Sequence, residues 1–336
     1  MTRKKLLILL LPVLGLLLAL ALAASLYSTN VTLKDEKQII LVRTVTGINE
    51  VIEANDIQFT SPTAWQIATA LKRIDQVKPG RYVIKNGISN LEFIRILRSG
   101  GRSTLTVRID DVETLEELAG RLGSVMLHDS AHFIQAFYNE ALLKEINCGT
   151  YRAEVYIRPN TYDFYWDMEG TDFMKRMKSE TDRYWNSSRI DQTKQLNLSV
   201  SEVTTLASIV KAETGQKSEA PIIAGLYLNR LRSGIPLQSD PTAIFGRKSN
   251  VRRVYLSDIN ADSPYNTYKI KGLPPGPINF PEDVYLDAVL NAAAHEYIYM
   301  CAEPGGTGKH RFSKSLGEHE KNRSEYIAWL NRKEIR

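Results

Sequence analysis

One carboxyl group in this chain stands where acid–base chemistry could be done. It is Glu213, at the end of the stretch SVSEVTTLASIVKAET (199–214). Val203, Leu206, Ala207 and Val210 recur at i, i+3, i+4 and i+7, the spacing of one apolar helix face. Glu213, three residues past Val210 and seven past Leu206, falls on that face. Burial penalises the charged form of a carboxyl and raises its pKa. An acid that must hold its proton near neutral pH needs such a setting. The alternative for the same residue is a solvated side chain at a frayed helix end, where Thr214-Gly215 stops the helix.

Other chemistries find less support. The five histidines (128, 132, 295, 310, 319) show no HExxH or other metal-ligand spacing. Cys148 and Cys301 are far apart, with no CxxC, and read as two free thiols more readily than as one disulfide in a chain of 336 residues. No metal and no cofactor is expected. The formal net charge of +5 is dispersed, without a basic block interleaved with aromatics, which argues against nucleic acid as a partner. Mild basicity suits an anionic membrane surface or an acidic polymer equally well. With 43% hydrophobic and 24% charged residues, the chain can build packed cores, and its length suits two or three domains.

The catalytic stretch needs elements to hold it. Ser199 and Glu202 have the spacing of a capping box, so the helix should begin there. A second amphipathic helix follows, with Ser218 as N-cap, Pro221 in its first turn and a stop near Gly234. Residues 234–281 are rich in Gly, Pro, Asn and Ser and read as long loops, too long for idle connections. Within them, PLQSDPTAIFG (236–246) and SPYNTYKIKGLPPGPINFP (263–281) suit a cleft that hydrogen-bonds hydroxyls and amides. Helix 282–294, strand 297–303, HRFS (310–313) and a last helix near 317–333 should close the chain.

Upstream, TRKK (2–5) precedes an uncharged run, residues 6–27. Twenty-two helical residues span about 33 Å, enough for the hydrocarbon core of a bilayer. The basic flank should stay cytoplasmic, leaving the rest of the chain outside the cytoplasm. Ala21-Leu22-Ala23 also fits a signal-peptide cleavage site, but the run exceeds the usual apolar region of such peptides, which favours an uncleaved anchor. Strands at 38–44 and 103–109 and helices at 61–74 (Trp65, Ile67, Ala68 and Leu71 inward), around Leu91, Ile94, Ile96 and Leu97, and at 112–122 suggest two small related α+β lobes. SPTAWQIATAL echoes DVETLEELAGRL. A helix is expected over 129–147 and another over 171–186. Between them EVYIRPNTYDFYW (154–166) is dense in aromatics, which serve either as core or as a platform for sugar rings.

Several of these motifs together resemble the YceG/MltG family of endolytic murein transglycosylases. They are LASIVKAET (206–214), AGLYLNRL (224–231), LQSDPT (237–242), YNTYKIKGLPPGPI (265–278) and GKHRFSKSLGEH (308–319), with KPGRYVI (78–84) and RPNTYDF (158–164) upstream. The resemblance covers nearly the whole chain, with the motifs in the family's order. It implies an α+β protein in three parts: a basic flank and transmembrane anchor (1–28), a LysM-like α+β region (29–152) and a mixed α+β catalytic domain (153–336). It implies an enzyme of the inner membrane that cuts the MurNAc–GlcNAc β-1,4 bond of nascent peptidoglycan strands and leaves 1,6-anhydroMurNAc ends. Termination of glycan polymerisation near partner synthases would follow. The family's catalytic acid falls on Glu213. Its frequent second acid, two positions earlier, is here Lys211, which should point elsewhere, because helix neighbours two apart do not share a face.

A single carboxyl suffices for such a reaction, because the C6 hydroxyl of MurNAc is the nucleophile; hydrolytic glycosidases use two. Gln238, Ser239, Asp240, Thr242, Asn266, Thr267, Tyr268 and Asn229 are the expected substrate-binding residues. Two alternatives stay open. Asp240 paired with Glu213 at a suitable separation would make a water-using muramidase. A membrane-held glycan-binding scaffold would need no catalysis at all.

Overall fold

The computed structural model describes residues 3–98, 103–148, 152–246 and 256–333, with side chains from residue 12 onward. The glycines after the third expected helix (99–102) and the middle of the long loop region (247–255) lie outside the described residues. The chain divides into two compact units. The first comprises residues 1–107, 125–128 and 163–168; the second comprises 108–124, 129–162 and 169–336.

In order, the elements of the first half are α1 (Arg3–Tyr27), β1 (Val31–Thr32), β2 (Lys37–Val42), β3 (Thr46–Gly47), α2 (Ile48–Ala54), β4 (Gln58–Phe59), α3 (Pro62–Lys72), β5 (Gln76–Val77), β6 (Gly80–Lys85), α4 (Asn90–Arg98) and β7 (Thr104–Arg108). Then come α5 (Leu115–Val125), α6 (Ser130–Phe137), α7 (Glu140–Glu145), a 3-10 turn Ala153–Tyr156, β8 (Thr161–Tyr165), α8 (Gly170–Tyr184) and α9 (Ser187–Leu196). The last third holds α10 (Val200–Glu213), α11 (Ala220–Arg232), α12 (Asp240–Gly246), α13 (Leu256–Ile259), α14 (Asp283–Leu290), β9 (Tyr299–Ala302), β10 (His310–Ser313) and α15 (Leu316–Arg332). The protein is mixed α+β, as expected, and among the described residues its strands form two-stranded pairs.

The first unit packs helices on short antiparallel ribbons, of which β2–β6 is the longest. In β2, Ile40 and Val42 face the core while Ile39 and Leu41 face outward, the period-two pattern of a half-covered strand. Ser61 caps α3 through the Ala64 N–H, and Pro62 sits where a missing N–H costs nothing. Trp65 and Ala68 of α3 are buried as read, but Leu71 is exposed, because α3 ends one residue later at Lys72, with Arg73 as a left-handed C-cap. A buried amide pair stitches the unit: Asn30 Nδ2 donates to Asn90 Oδ1 at 2.9 Å, and Asn90 Nδ2 to the Ser25 carbonyl at 2.7 Å. Ser25 belongs to α1, so the end of that helix is fastened to the unit without a linker.

Along α1, Val13, Leu14, Leu16, Leu17, Leu18 and Leu20 are all exposed. The side chains of residues 6–11, the first part of the expected membrane span, lie outside the described residues. Among the described residues no helix is long and apolar enough to cross a membrane.

In the second unit the expected helix over 129–147 is two helices. Asp129 caps α6, and Asn139 breaks the run to cap α7 through the Leu142 N–H. The aromatic stretch is core and not a platform: Tyr156 and Tyr162 of this unit are buried, Phe164 and Trp166 of the first unit are buried too, and Tyr165 alone of the five aromatics named is exposed. α10 and α11 are buried on most sides, against α14, in a core of Val203, Leu206, Ile209, Val210, Ile223, Leu226, Leu286 and Val289. The N-cap of α11 is Glu219, not Ser218. Its side chain is instead bound to His310, whose N–H donates to Glu219 Oε1 at 3.0 Å. Both cysteines are free thiols.

Candidate active site

α10 begins with the full capping box, Ser199 and Glu202 each bonding the other's backbone N–H. It ends on Glu213. From Val203 to Val210 every residue is buried, so the helix is held rigidly and its last side chain inherits that position. Glu213 keeps an opening to solvent, and its carboxyl lies among protein groups. Tyr227 Oη, on the facing helix α11, donates to Glu213 Oε1 at 2.8 Å. Ser239 Oγ donates to the same oxygen in a very short bond. Among the described residues no hydrogen bond reaches Oε2.

Burial is the largest influence on Glu213 and raises its pKa; the negative charge of Asp240 adds to it. The bonds from Ser239 and Tyr227 and the charge of His310 act in the opposite direction, and burial prevails. Lys211 does not take part. Its Nζ donates to the Phe280 carbonyl at 2.9 Å and pairs with Glu282 at 3.2 Å, turned away from Glu213 as helix geometry requires. It thereby pins the chain before α14 to the catalytic helix.

Ser239 is positioned by a cross-link between the two loops singled out in the sequence. The Ser239 N–H donates to Thr267 Oγ1 at 3.0 Å, Thr242 Oγ1 donates to the Ser239 carbonyl at 2.7 Å, and the two threonine hydroxyls meet at 2.7 Å. Gln238 has φ of 52°, a left-handed conformation that a non-glycine residue holds only when its surroundings impose it. Arg230 imposes it, with Nη1 on the Leu237 carbonyl at 2.6 Å and Nη2 on Gln238 Oε1 at 3.1 Å. The GLPPGPINF segment is tied to α10 at Ser208, whose Oγ accepts the Ile278 N–H and whose carbonyl accepts Asn279 Nδ2.

The expected substrate-binding residues fall into three groups. Gln238 and Asp240 are exposed beside Glu213's partner Ser239. Tyr268 Oη donates to Asp240 Oδ1 at 2.5 Å. Burial raises the Tyr268 pKa, with that bond adding to it. Thr242, Asn266 and Thr267 are wholly buried and their bonds run inside the protein. Asn266 Nδ2 serves the carbonyls of Asp258, Ile259 and Ala261, while Asn266 Oδ1 accepts the Tyr268 N–H. Asn229 Nδ2 holds the carbonyls of His295 and Tyr297.

Sequence reasoning gave no role to Tyr227, which lies on the second amphipathic helix. The available signal was that a buried tyrosine hydroxyl needs a partner. It also missed the Glu219–His310 pair, in which His310 Nδ1 meets Glu219 Oε2 at 3.1 Å and fastens the GKHRF stretch beside α11. Gln216 Nε2 reaches the Thr307 carbonyl at 3.4 Å, so this turn lies against the chain just past Glu213.

The YceG-like family model matches residues 42–325. The chain is 27% identical over 305 residues to a Bacillus subtilis protein named endolytic murein transglycosylase, covering 86% of this chain and 84% of that protein. It is 26% identical over 288 residues to a Streptococcus pneumoniae protein of the same name, covering 76% of this chain but only 52% of that longer protein. The crystal structure of a YceG-like protein from Listeria monocytogenes superposes with a TM-score of 0.59 at 23% identity. It covers 85% of this chain and 98% of its own, a likeness of fold.

Proposed function

The chain belongs to the YceG-like family, and from that premise we propose that it is an endolytic murein transglycosylase with Glu213 as its acid and base. One observation carries the reading: a carboxyl raised in pKa by burial, with both hydrogen-bond donors on one oxygen. With Oε1 occupied as acceptor, the proton of the neutral acid sits on Oε2. Glu213 Oε2–H gives its proton to the oxygen linking MurNAc to GlcNAc as that C–O bond breaks. The resulting carboxylate takes the proton of the MurNAc C6 hydroxyl as its oxygen closes on C1, leaving the 1,6-anhydro ring. Water is not consumed, and Glu213 returns to its starting state.

We assign the exposed Gln238 and Asp240, with Tyr268, to contacts with the glycan. Thr242, Asn266, Thr267 and Asn229 act through the loops they hold. The domain reading stands with this proposal: a LysM-like region over 29–152 and a catalytic domain over 153–336. So does anchorage to the inner membrane through residues 6–27, with catalysis on the extracytoplasmic side. The basic flank, the uncharged run and the exposed apolar side chains of α1 support anchorage. Cleavage would then occur close to the synthases that extrude the strand and terminate its growth.

The test is product analysis. Mass spectrometry of digested glycan should find anhydro ends with the wild type and none with Glu213→Gln. Reducing ends carrying added water would make the protein a muramidase using Asp240. Equal activity in Glu213→Gln would remove Glu213 from the mechanism, and glycan binding without cleavage by the wild type would leave a scaffold.

A further inference from the structure

A polar cavity of about 180 Å³ opens in the second unit beside Pro159 of the RPNTYDF stretch, lined by Arg158, Asn160, Tyr162, Glu180, Arg183 and Asp283. Pockets that enclose whole small molecules run to about 300–1,000 Å³, so this one suits a terminal group rather than a sugar unit. The mechanism above makes no use of it.

Arg158 sets its character. The side chain is only 8% exposed, and its guanidinium lies 3.9 Å from the centre of the Tyr184 ring. One hydrogen bond is recorded for it among the described residues, from Nη2 to Asp283 Oδ1. A guanidinium carries five N–H donors. Four of those donors thus have no protein acceptor among the described residues, and a guanidinium edge with two free N–H groups matches the two oxygens of a carboxylate. A nearly buried cation with unused donors is a costly arrangement unless an anion completes it. Asp283 completes it only partly, because its own side chain is 60% exposed and accepts with one oxygen. The other charges lining the cavity are already balanced, with Glu180 taking bonds from Arg176 and Arg183. Acids on the wall disfavour a dianion such as phosphate more than a singly charged carboxylate.

We propose that the Arg158 cavity is a subsite for a carboxylate of the peptide stems that branch from the glycan strand. The identity of that peptide rests on the transglycosylase reading; the carboxylate chemistry does not. The cavity is coupled to the catalytic helix, since Asp283 follows Glu282, which Lys211 of α10 holds at 3.2 Å. A stem seated there would therefore bear on the segment that Lys211 fastens beside Glu213.

The test is calorimetric titration of the full chain with a free stem pentapeptide, with the same peptide amidated at every carboxylate, and with inorganic phosphate. Binding of the free peptide is expected, weakened at least tenfold by amidation and by Arg158→Met. Asp283→Asn, which removes the competing carboxylate, should tighten it several-fold. This second variant decides the matter if Arg158→Met fails to melt cooperatively. Failure of the wild type to bind the free peptide, indifference to amidation and to both substitutions, or stronger binding of phosphate would overturn the proposal. Because the readout is binding, a chain that takes the stem but produces no anhydro ends would separate failure of the catalytic reading from failure of this one.

Discussion

Replacing Ser239 by alanine tests how Glu213 is tuned. Ser239 Oγ and Tyr227 Oη both donate to Oε1, and such donation favours the ionised carboxyl over the neutral acid. A hydrogen bond to a charged group is worth about 1.5–3 kcal/mol, and 1.36 kcal/mol corresponds to one pKa unit. Losing one of the two donors should thus shift the proton equilibrium toward the acid by about ten- to a hundredfold, the lower end applying if water takes the hydroxyl's place. The first step needs the protonated form, so activity falls as pH rises through the ionisation of Glu213. In Ser239→Ala the alkaline limb of kcat/KM should move to higher pH by about one to two units. The plateau should drop, because a single donor orients the carboxyl less firmly. Rates of anhydro-end release between about pH 5 and 9 would read both effects. Tyr227→Phe should move the limb the same way. A limb that stays in place, or moves to lower pH, would refute the role given to Oε1.

Three further substitutions address stability. The folded pKa of Glu213 lies above its ordinary value of 4.5, so the fold loses stability as pH climbs from that range through the folded pKa. Glu213→Gln should therefore melt higher than the wild type near pH 8 and equally near pH 4, about the limits set by an unperturbed carboxyl; an equal gain at both pH values would contradict the burial argument. Lys211→Met leaves the Phe280 carbonyl and Glu282 without their cation and should cost about 1–3 kcal/mol by denaturant unfolding. Its pH limb should stay put, since Lys211 does not act on Glu213. A Cβ on Gly225 would lie 2.4 Å from the Ala293 carbonyl oxygen and 2.8 Å from His295 Nε2. Gly225→Ala should accordingly destabilise by about 1–3 kcal/mol, and an unchanged melting temperature would show that the 293–295 segment moves freely.

How much was legible depended on the range of the interaction. The capping box of α10, its buried face and the outward turn of Lys211 follow from local spacing, and the structure has all three. Breaks that depend on a single side chain were harder. Asn139 continues a helical pattern by composition, yet it caps a new helix once its side chain reaches Leu142. Ser218 has the better capping chemistry, but Glu219 takes the position because its carboxylate is held by His310, ninety-one residues away. Thr242 and Thr267 were chosen as hydroxyls for a ligand and turn out to bond each other; nothing in either loop's own sequence foretells a partner across twenty-five residues. The aromatic cluster near 160 followed ordinary burial, which composition alone could not separate from a sugar-binding surface.

The same long-range contacts bear on how, in the proposed mechanism, one carboxyl serves in two opposed roles. A proton donor needs its neutral form favoured, and desolvation at the end of a buried helix supplies that. A carboxyl raised by burial alone would resist giving its proton away. The two donors on Oε1 moderate this, because they strengthen as negative charge develops on the carboxylate when the proton leaves. They also leave Oε2 free of protein donors among the described residues, the oxygen through which the proposed proton transfer runs. Ser239 reaches Glu213 on a loop that Arg230 holds at Leu237 and Gln238 and that Thr242 and Thr267 fasten. Apart from Asp240, the acid is thus tuned by residues that no substrate needs to touch.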